Sequence, residues 1–431
     1  MSKCNKTLSK GKWWLPATPK RTAQGEGEVL VDGAVPKLDL FSPLEGKSTK
    51  VRRVYFPEMW GKTDSGEMVT IFNLDGLTLE EWWEICPDIP YVTMSGEMSA
   101  NAHLKCSDIT TIDVQIDYLD EWAARSKPCL PSAGVVAEAE VRGVTFKLIE
   151  STQPGSPRSA YFQIGFKAPK TSDIRRAVSL VCNLMATVTA TLPNISVEAA
   201  TDSASGIRLS LPLPHTERPS GATMLNPQDI LVDWSKFIDR NVLGKWLQFD
   251  KSNNKASQRF QAALGCGRGT YVETRLLLLF QTLESMTPSE PWYSGDYPAL
   301  MEQIHSAIAN LDTATQEDAA RVIKIISGRN TGNLNDRLLA LFSQPPLDSL
   351  HEEIGKIRPK FTQDLVKLRN YASHPTKNHK LSHLEQFATT ELAYVFARAL
   401  ILTECGIAEA PEKILHTSQI QWVRDDFGPK P

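Results

Sequence analysis

Two periodicities divide the chain. From residue 11 to about residue 165, β-branched and aromatic residues come in short runs bounded by Gly, Pro, Asp and Asn, the pattern of strands and turns. The expected strands are Val29–Val31, Lys37–Phe41, Val51–Phe56, Met68–Phe72, Ile109–Ile116, Val135–Val141, Thr145–Ile149 and Ala160–Phe166. In one of them Ile112, Val114 and Ile116 alternate with Asp113, Gln115 and Asp117, as a strand with one wet face requires. Thr171–Thr189 opens on the capping signal Thr-Ser-Asp and then spaces Ile174, Val178, Val181, Leu184 and Met185 at helical intervals. Strand character returns over 194–214, and Ile230–Trp246 predicts one or two helices. The polar stretch Asp250–Ser257 is the expected exposed loop beside a domain boundary.

Beyond that stretch the apolar spacing becomes three and four. Helices are expected at Val272–Met286, Tyr297–Leu311, Gln316–Ser327, Leu334–Phe342, Leu350–Ser373 with a break near Pro359, and Ser382–Cys405. The run Leu276–Leu279 is apolar all round, which places its helix at the centre of the bundle. The fold class is therefore α+β and multidomain. The expected boundaries are a β-rich N-terminal region with a few helices at 1–250, an all-α bundle at 251–415 and a C-terminal tail at 416–431.

Composition narrows the setting. The chain has 431 residues, enough for two or three domains that each bury a core, and a formal net charge of -3. No run of eighteen apolar residues is present, so no membrane span is expected. The basic N-terminus MSKCNKTLSKGKWW lacks the apolar core of a secretory signal, which points to the cytoplasm. Seven cysteines are scattered without a CxxC pair, so neither a zinc ribbon nor a disulfide framework is indicated. Trp13, Trp14, Trp60, Trp82, Trp83 and Trp122 all fall in the β-rich half and are expected as core or edge-covering side chains, the other use of an indole being an interface anchor. Gly265–Thr270 sets three glycines ahead of a helix, but it has no GK[ST] arrangement and no strand leading into it, so it reads as a turn.

The chemistry is concentrated in Lys367–Pro375, KLRNYASHP. Ile354, Ile357, Phe361, Leu365 and Leu368 form one buried helical stripe, so Arg369 falls in the last turns of a helix. Five residues turn roughly 140° around an ideal helix, which would point His374 away from Arg369. Pro375 disfavours helix at His374 and frees its imidazole to turn back. An arginine and a histidine supply a fixed cation for phosphate oxygens and a group that titrates near neutrality. Between Lys356 and Lys380 stand Lys356, Arg358, Lys360, Lys367, Arg369, Lys377 and Lys380 against the single acid Asp364, a local positive field suited to a polyanion. Glu273, Arg275 and Glu284 are placed to reach the same face, where a carboxylate would orient Arg369; interhelical or solvent-facing salt bridges are the other use of these residues. Two other readings stay open. The segment is also a helix C-terminus collecting basic side chains to suit its dipole. His374, His379 and His383, with Glu385, form a metal-ligating set whose spacing is poor because His379 falls in a loop.

Arg369-Asn370-Tyr371-Ala372-Ser373-His374 resembles the RNxxxH signature of HEPN ribonucleases. Gly11–Pro16, Gly61–Phe72 and Val114–Trp122 are similar to the N-terminal region of ApeA-like proteins, a HEPN group of prokaryotic anti-phage defence, and Tyr271–Glu284 resembles the first long helix of their HEPN domain. The resemblance implies a metal-independent endoribonuclease without cofactor, acting in abortive infection on cellular or phage RNA, with tRNA-like structured RNA favoured. It assigns catalysis to Arg369, His374 and Asn370, and RNA contact to Lys367, Tyr371, Lys377 and Lys380. It further implies a homodimer through the HEPN domain, two motifs sharing one cleft, and a phage-derived trigger sensed by the N-terminal region. The competing classes are a non-catalytic HEPN protein that binds nucleic acid or a partner, and a histidine-ligated metal hydrolase.

Overall fold

The structure, a computed structural model, describes residues 7–15, 24–32, 35–40, 53–66, 68–78, 92–100, 106–126, 134–151, 159–191, 193, 195–201, 209–210, 225–266, 272–287, 297–310, 315–316, 319, 334–373 and 381–427. The chain divides into two compact units, Met1–Gln248 and Phe249–Pro431. Sheets fill the first and helices the second, so the fold is α+β.

The first unit opens with a closed barrel. Its strands are β1 (Thr7–Trp14), β2 (Gln24–Asp32), β3 (Val35–Leu40), β4 (Arg53–Thr63), β5 (Met68–Thr78) and β6 (Val92–Ala100). All pair antiparallel in the order β1-β2-β3-β6-β5-β4, and β1 pairs with β4 to close the ring. At that seam Trp13 faces Gly61. A Cβ on Gly61 would lie 2.3 Å from the Trp13 ring, so the glycine is the seat of a fully buried indole. Neither β1 nor β6 is expected from the sequence.

The second sheet has the order β12-β11-β7-β10-β9-β8. Its strands are β7 (Ile109–Ile116), β8 (Gly134–Val141), β9 (Val144–Ser151), β10 (Ser159–Gly165), β11 (Ile195–Thr201) and β12 (Leu209–Ser210). Along β7, Ile112, Val114 and Ile116 are buried, as their alternation predicts. A short helix α1 (Leu119–Ala124), not expected from the sequence, turns Trp122 inward. Its indole donates to the Val232 carbonyl at 3.1 Å and meets the rings of Trp234 and Phe237 edge-on. The helices α2 (Thr171–Thr189), α3 (Trp234–Asp239) and α4 (Val242–Ser252) complete the unit. Trp234 donates to Glu150 on β9 and Trp246 to the Leu180 carbonyl on α2, so the indole N–H groups of Trp122, Trp234 and Trp246 are satisfied while their rings fill the core.

The second unit is a helical bundle: α5 (Asn254–Gly265), α6 (Val272–Met286), α7 (Tyr297–Ile308), α8 (Leu334–Phe342), α9 (Asp348–Ile357), α10 (Phe361–Ser373), α11 (His383–Glu404), α12 (Ala410–Ile414) and α13 (Ser418–Phe427). Asp250–Ser257 is not an exposed loop. Helices α4 and α5 run through most of it, Asp250 and Ser257 are buried, and the Ser257 hydroxyl donates to the Asp250 carboxylate at 2.8 Å. Nor is α6 the helix enclosed on every side: every residue from Ala388 to Leu402 of α11 is buried, whereas Leu277 and Leu278 are half-buried. Helix α6 packs beside it, against α5, α10 and α11. The expected tail carries α13, whose Ile420 and Val423 are buried and which packs on α9 and α11. The expected helix Gln316–Ser327 lies mostly outside the described residues, as do Trp82, Trp83 and the turn at Gly267–Thr270. No described helix is long and apolar enough to cross a membrane.

Candidate functional site

Proline sets where α10 begins. Pro359 has no N–H and disfavours helix at the residue before it, and Arg358 indeed leaves the helical region at φ -133 and ψ 79. The chain restarts at Phe361, whose N–H donates to the Arg358 carbonyl at 2.9 Å. Three turns later α10 ends at Ser373, with Arg369 and Asn370 in its last turns. The apolar stripe Phe361, Leu365 and Leu368 is buried and fixes the rotation of the helix, which leaves Arg369, Asn370 and Tyr371 half-buried and Lys367 exposed.

Arg369 is held without an acid. Its Nη1 donates to the Asn370 side-chain oxygen at 3.2 Å, and its guanidinium carbon lies over the Phe280 ring of α6, 5.6 Å from the centroid. Among the described residues it forms no ion pair. The carboxylate expected from α6 does not orient it. Glu273 is exposed, and Arg275 is committed to Glu391 of α11 in a buried pair that Gln419 also joins. Arg275 also lies over the Tyr394 ring at 5.2 Å. Phe280 is the contributor that sequence reasoning missed: the period of α6 marked it as buried, but nothing local to α6 signals which cation it supports.

The positive field is smaller than the sequence implies. Lys356 pairs with Glu353 at 2.5 Å and Glu352 at 3.6 Å, and these contacts raise its pKa while lowering that of Glu353. Arg358 pairs with Asp364 at 3.0 Å and with Glu385 at 3.6 Å, and Lys367 reaches Asp364 at 3.5 Å. Lys360 and Arg369 are the cations of this stretch that lack an acid partner among the described residues. His374, Lys377, His379 and Lys380 lie outside the described residues. Glu385, the fourth member of the metal-ligating reading, is engaged elsewhere. It forms a capping box with Ser382 at the start of α11, and the Ser382 N–H and hydroxyl, with Arg358 beyond them, hold its pKa below the usual carboxylate value. His383 is the first residue of α11.

The second unit is thus a helical module that presents an uncancelled arginine beside an asparagine at a helix end. Residues 294–411 match the family model Apea-like HEPN, so an ApeA-like HEPN domain lies here. The match spans α7 to the start of α12 and includes Arg369, Asn370 and His374; the N-terminal stretches that resemble ApeA-like proteins lie outside it. A HEPN domain marks a nucleic-acid-related function, and HEPN domains are commonly ribonucleases. No curated protein and no solved structure matches the chain.

Proposed function

We propose that the protein is a metal-independent endoribonuclease whose HEPN domain cuts cellular or phage RNA, with tRNA-like RNA favoured, and stops growth during phage infection. The observation that carries this reading is Arg369: a half-buried guanidinium inside the matched domain, braced by Asn370 and Phe280 and balanced by no carboxylate among the described residues. A paired arginine would have to break its ion pair to meet a phosphate; this one keeps all but one of its donors available. The 2′-hydroxyl attacks the adjacent phosphorus as its proton passes to a base, and the bond to the 5′-oxygen breaks as that oxygen takes a proton. A 2′,3′-cyclic phosphate and a 5′-hydroxyl result. His374 serves in proton transfer, worth about 10² to 10⁴ in rate for a positioned imidazole. Arg369 stabilises charge on the phosphate oxygens, and Lys367, Tyr371, Lys377 and Lys380 contact the RNA. One histidine cannot easily be both acid and base, so two copies bring their motifs to one cleft, and the N-terminal unit senses a phage-derived trigger.

Wild type, Arg369→Ala and His374→Ala are to be expressed in phage-infected cells and total RNA mapped for new 5′-hydroxyl ends. New ends are expected with wild type alone. Loss of protection in both variants, with no new ends even in wild type, would show that the site only binds.

A further inference from the structure

Helix α6 carries the ring beneath Arg369, and further along the same face it anchors another arginine. Phe280 and Thr287 are seven residues apart, which returns a helix to within about 20° of its starting direction after a rise of about 10 Å. Thr287 follows the last residue of α6, and its N–H still donates to the Glu284 carbonyl at 3.4 Å, so the helical course reaches it. The second cation is Arg337 of α8, a helix that packs against both α6 and α10.

The head of Arg337 is fixed but not neutralised. The Thr287 hydroxyl donates to the Glu284 carbonyl at 2.7 Å, and its oxygen accepts from Nη2 of Arg337 at 2.6 Å. Nε of Arg337 is buried without a partner, and the residue forms no ion pair among the described residues. Nη1 also bonds nothing among the described residues, but unlike Nε it is not closed off from solvent. Of the three guanidinium nitrogens one is thus anchored, one is orphaned and one is open. Arg369 is held in a similar way, by an amide and a ring in place of an acid.

Glu284 lies between the two along α6, is half-buried and pairs with neither among the described residues. A carboxylate there repels phosphate from the middle of the path and leaves the two ends as the attractive points. A cation beside the last carbonyls of α6 also suits the dipole of that helix. That role needs the charge alone and no open donor.

We propose that Arg337 is a further phosphate-binding residue of the RNA site: one strand passes from Arg369 along α6 to Arg337, and the two guanidinium groups hold different phosphates. The inference rests on the ribonuclease reading. Neighbouring phosphates of one strand in a duplex rise about 3.4 Å per step, so a span on the order of 10 Å along α6 calls for a substrate of several nucleotides. A dinucleotide, with its single phosphodiester, meets Arg369 and leaves Arg337 empty.

The test is titration of the full-length His374→Ala protein, which on the proposed function binds without cutting, with a labelled hexanucleotide RNA at several salt concentrations. A dinucleotide at up to millimolar concentration serves as competitor. Adding Arg337→Ala is expected to weaken the hexanucleotide about fivefold or more while leaving the dinucleotide as it was. It should also flatten the plot of log affinity against log salt by about 0.7 to 1. Arg369→Ala is expected to weaken both RNAs, and Arg337→Lys, which keeps the charge, to keep the slope. A protein that binds no RNA at all overturns the ribonuclease reading itself. Hexanucleotide binding weakened by Arg369→Ala but untouched by folded Arg337→Ala overturns this inference alone and leaves Arg337 as a cap of α6. Equal losses for both lengths overturn it as well, because only a long-range field acts on both alike. Should Arg337→Ala fail to fold, as thermal melting would show, Arg337→Gln carries the same comparison.

Discussion

Gly61 and His351 each answer to one close neighbour. Any side chain at Gly61 drives a Cβ into the rigid, fully buried indole of Trp13. Gly61→Ala is therefore expected to cost about 1–3 kcal/mol, the usual penalty of overpacking, in denaturant unfolding followed by tryptophan emission. A loss below about 0.5 kcal/mol would show that the barrel seam yields. His351 is half-buried between aromatic rings, and burial lowers its pKa from the ordinary 6.5. The folded state then holds the imidazole neutral while the unfolded chain takes a proton as pH falls through about 6.5. Stability on this account is present above that pH and is lost between it and the lower folded pKa. Replacing the imidazole by a ring that does not titrate, His351→Phe, should shrink the stability difference between pH 7.5 and pH 5.5. An unchanged difference would assign the acid sensitivity to other groups.

At the scale of elements, the capping box at Ser382 is the clearest single lever. Its hydroxyl accepts from the Glu385 N–H at 3.3 Å, and the Glu385 carboxylate accepts from the Ser382 N–H at 2.8 Å, so two otherwise orphaned donors are met at the head of the central helix. Ser382→Ala is expected to destabilise the second unit by about 0.5–2 kcal/mol, measured by urea unfolding with helical circular dichroism. Helices α2, α6 and α8, whose ends match the expected ones, and the break at Pro359 were legible because their signals are local, whereas Glu385 was placed in a metal-ligating set and not in this cap. What is not local was not legible. Strand β1 carries TLSKGKWW, which lacks an alternating apolar face and is a strand because a barrel closes around it, whereas β6 carries VTMSGEMSA, in which Val92, Met94, Met98 and Ala100 alternate with Thr93, Ser95, Glu97 and Ser99, a period-two signal weakened by Gly96 and by its few β-branched residues. Asp250–Ser257 looked like a loop because it is polar, yet it is mostly helical, with Lys251, Ser252 and Lys255 exposed while its two ends, Asp250 and Ser257, are buried and bonded to each other. The same limit applies at the site. Arg369 and Asn370 were readable from their motif, whereas Phe280 beneath the guanidinium, and the acids that cancel Arg358 and Lys356, depend on contacts between helices or on helix pairing that the count of charges ignored.

For the whole molecule, the charge balance of -3 conceals how unevenly cations are paired. Most basic side chains along α9 and α10 are cancelled by neighbours, while Arg369 is steadied by an amide and a ring, neither of which offsets its charge. An uncancelled charge on a folded surface keeps a loose cloud of small anions, just as the phosphates of RNA keep small cations. When the two surfaces meet, both clouds are partly released, and dilution of salt strengthens the association. Arg369→Ala is expected to weaken RNA binding across sequences and to flatten the plot of log affinity against log salt by about one unit of slope, in titrations of labelled RNA at several salt concentrations. An unaltered slope would mean that Arg369 never meets a phosphate. On the proposed function, Arg369 is neutralised by the RNA it meets, and the ions shed on binding supply part of the driving force.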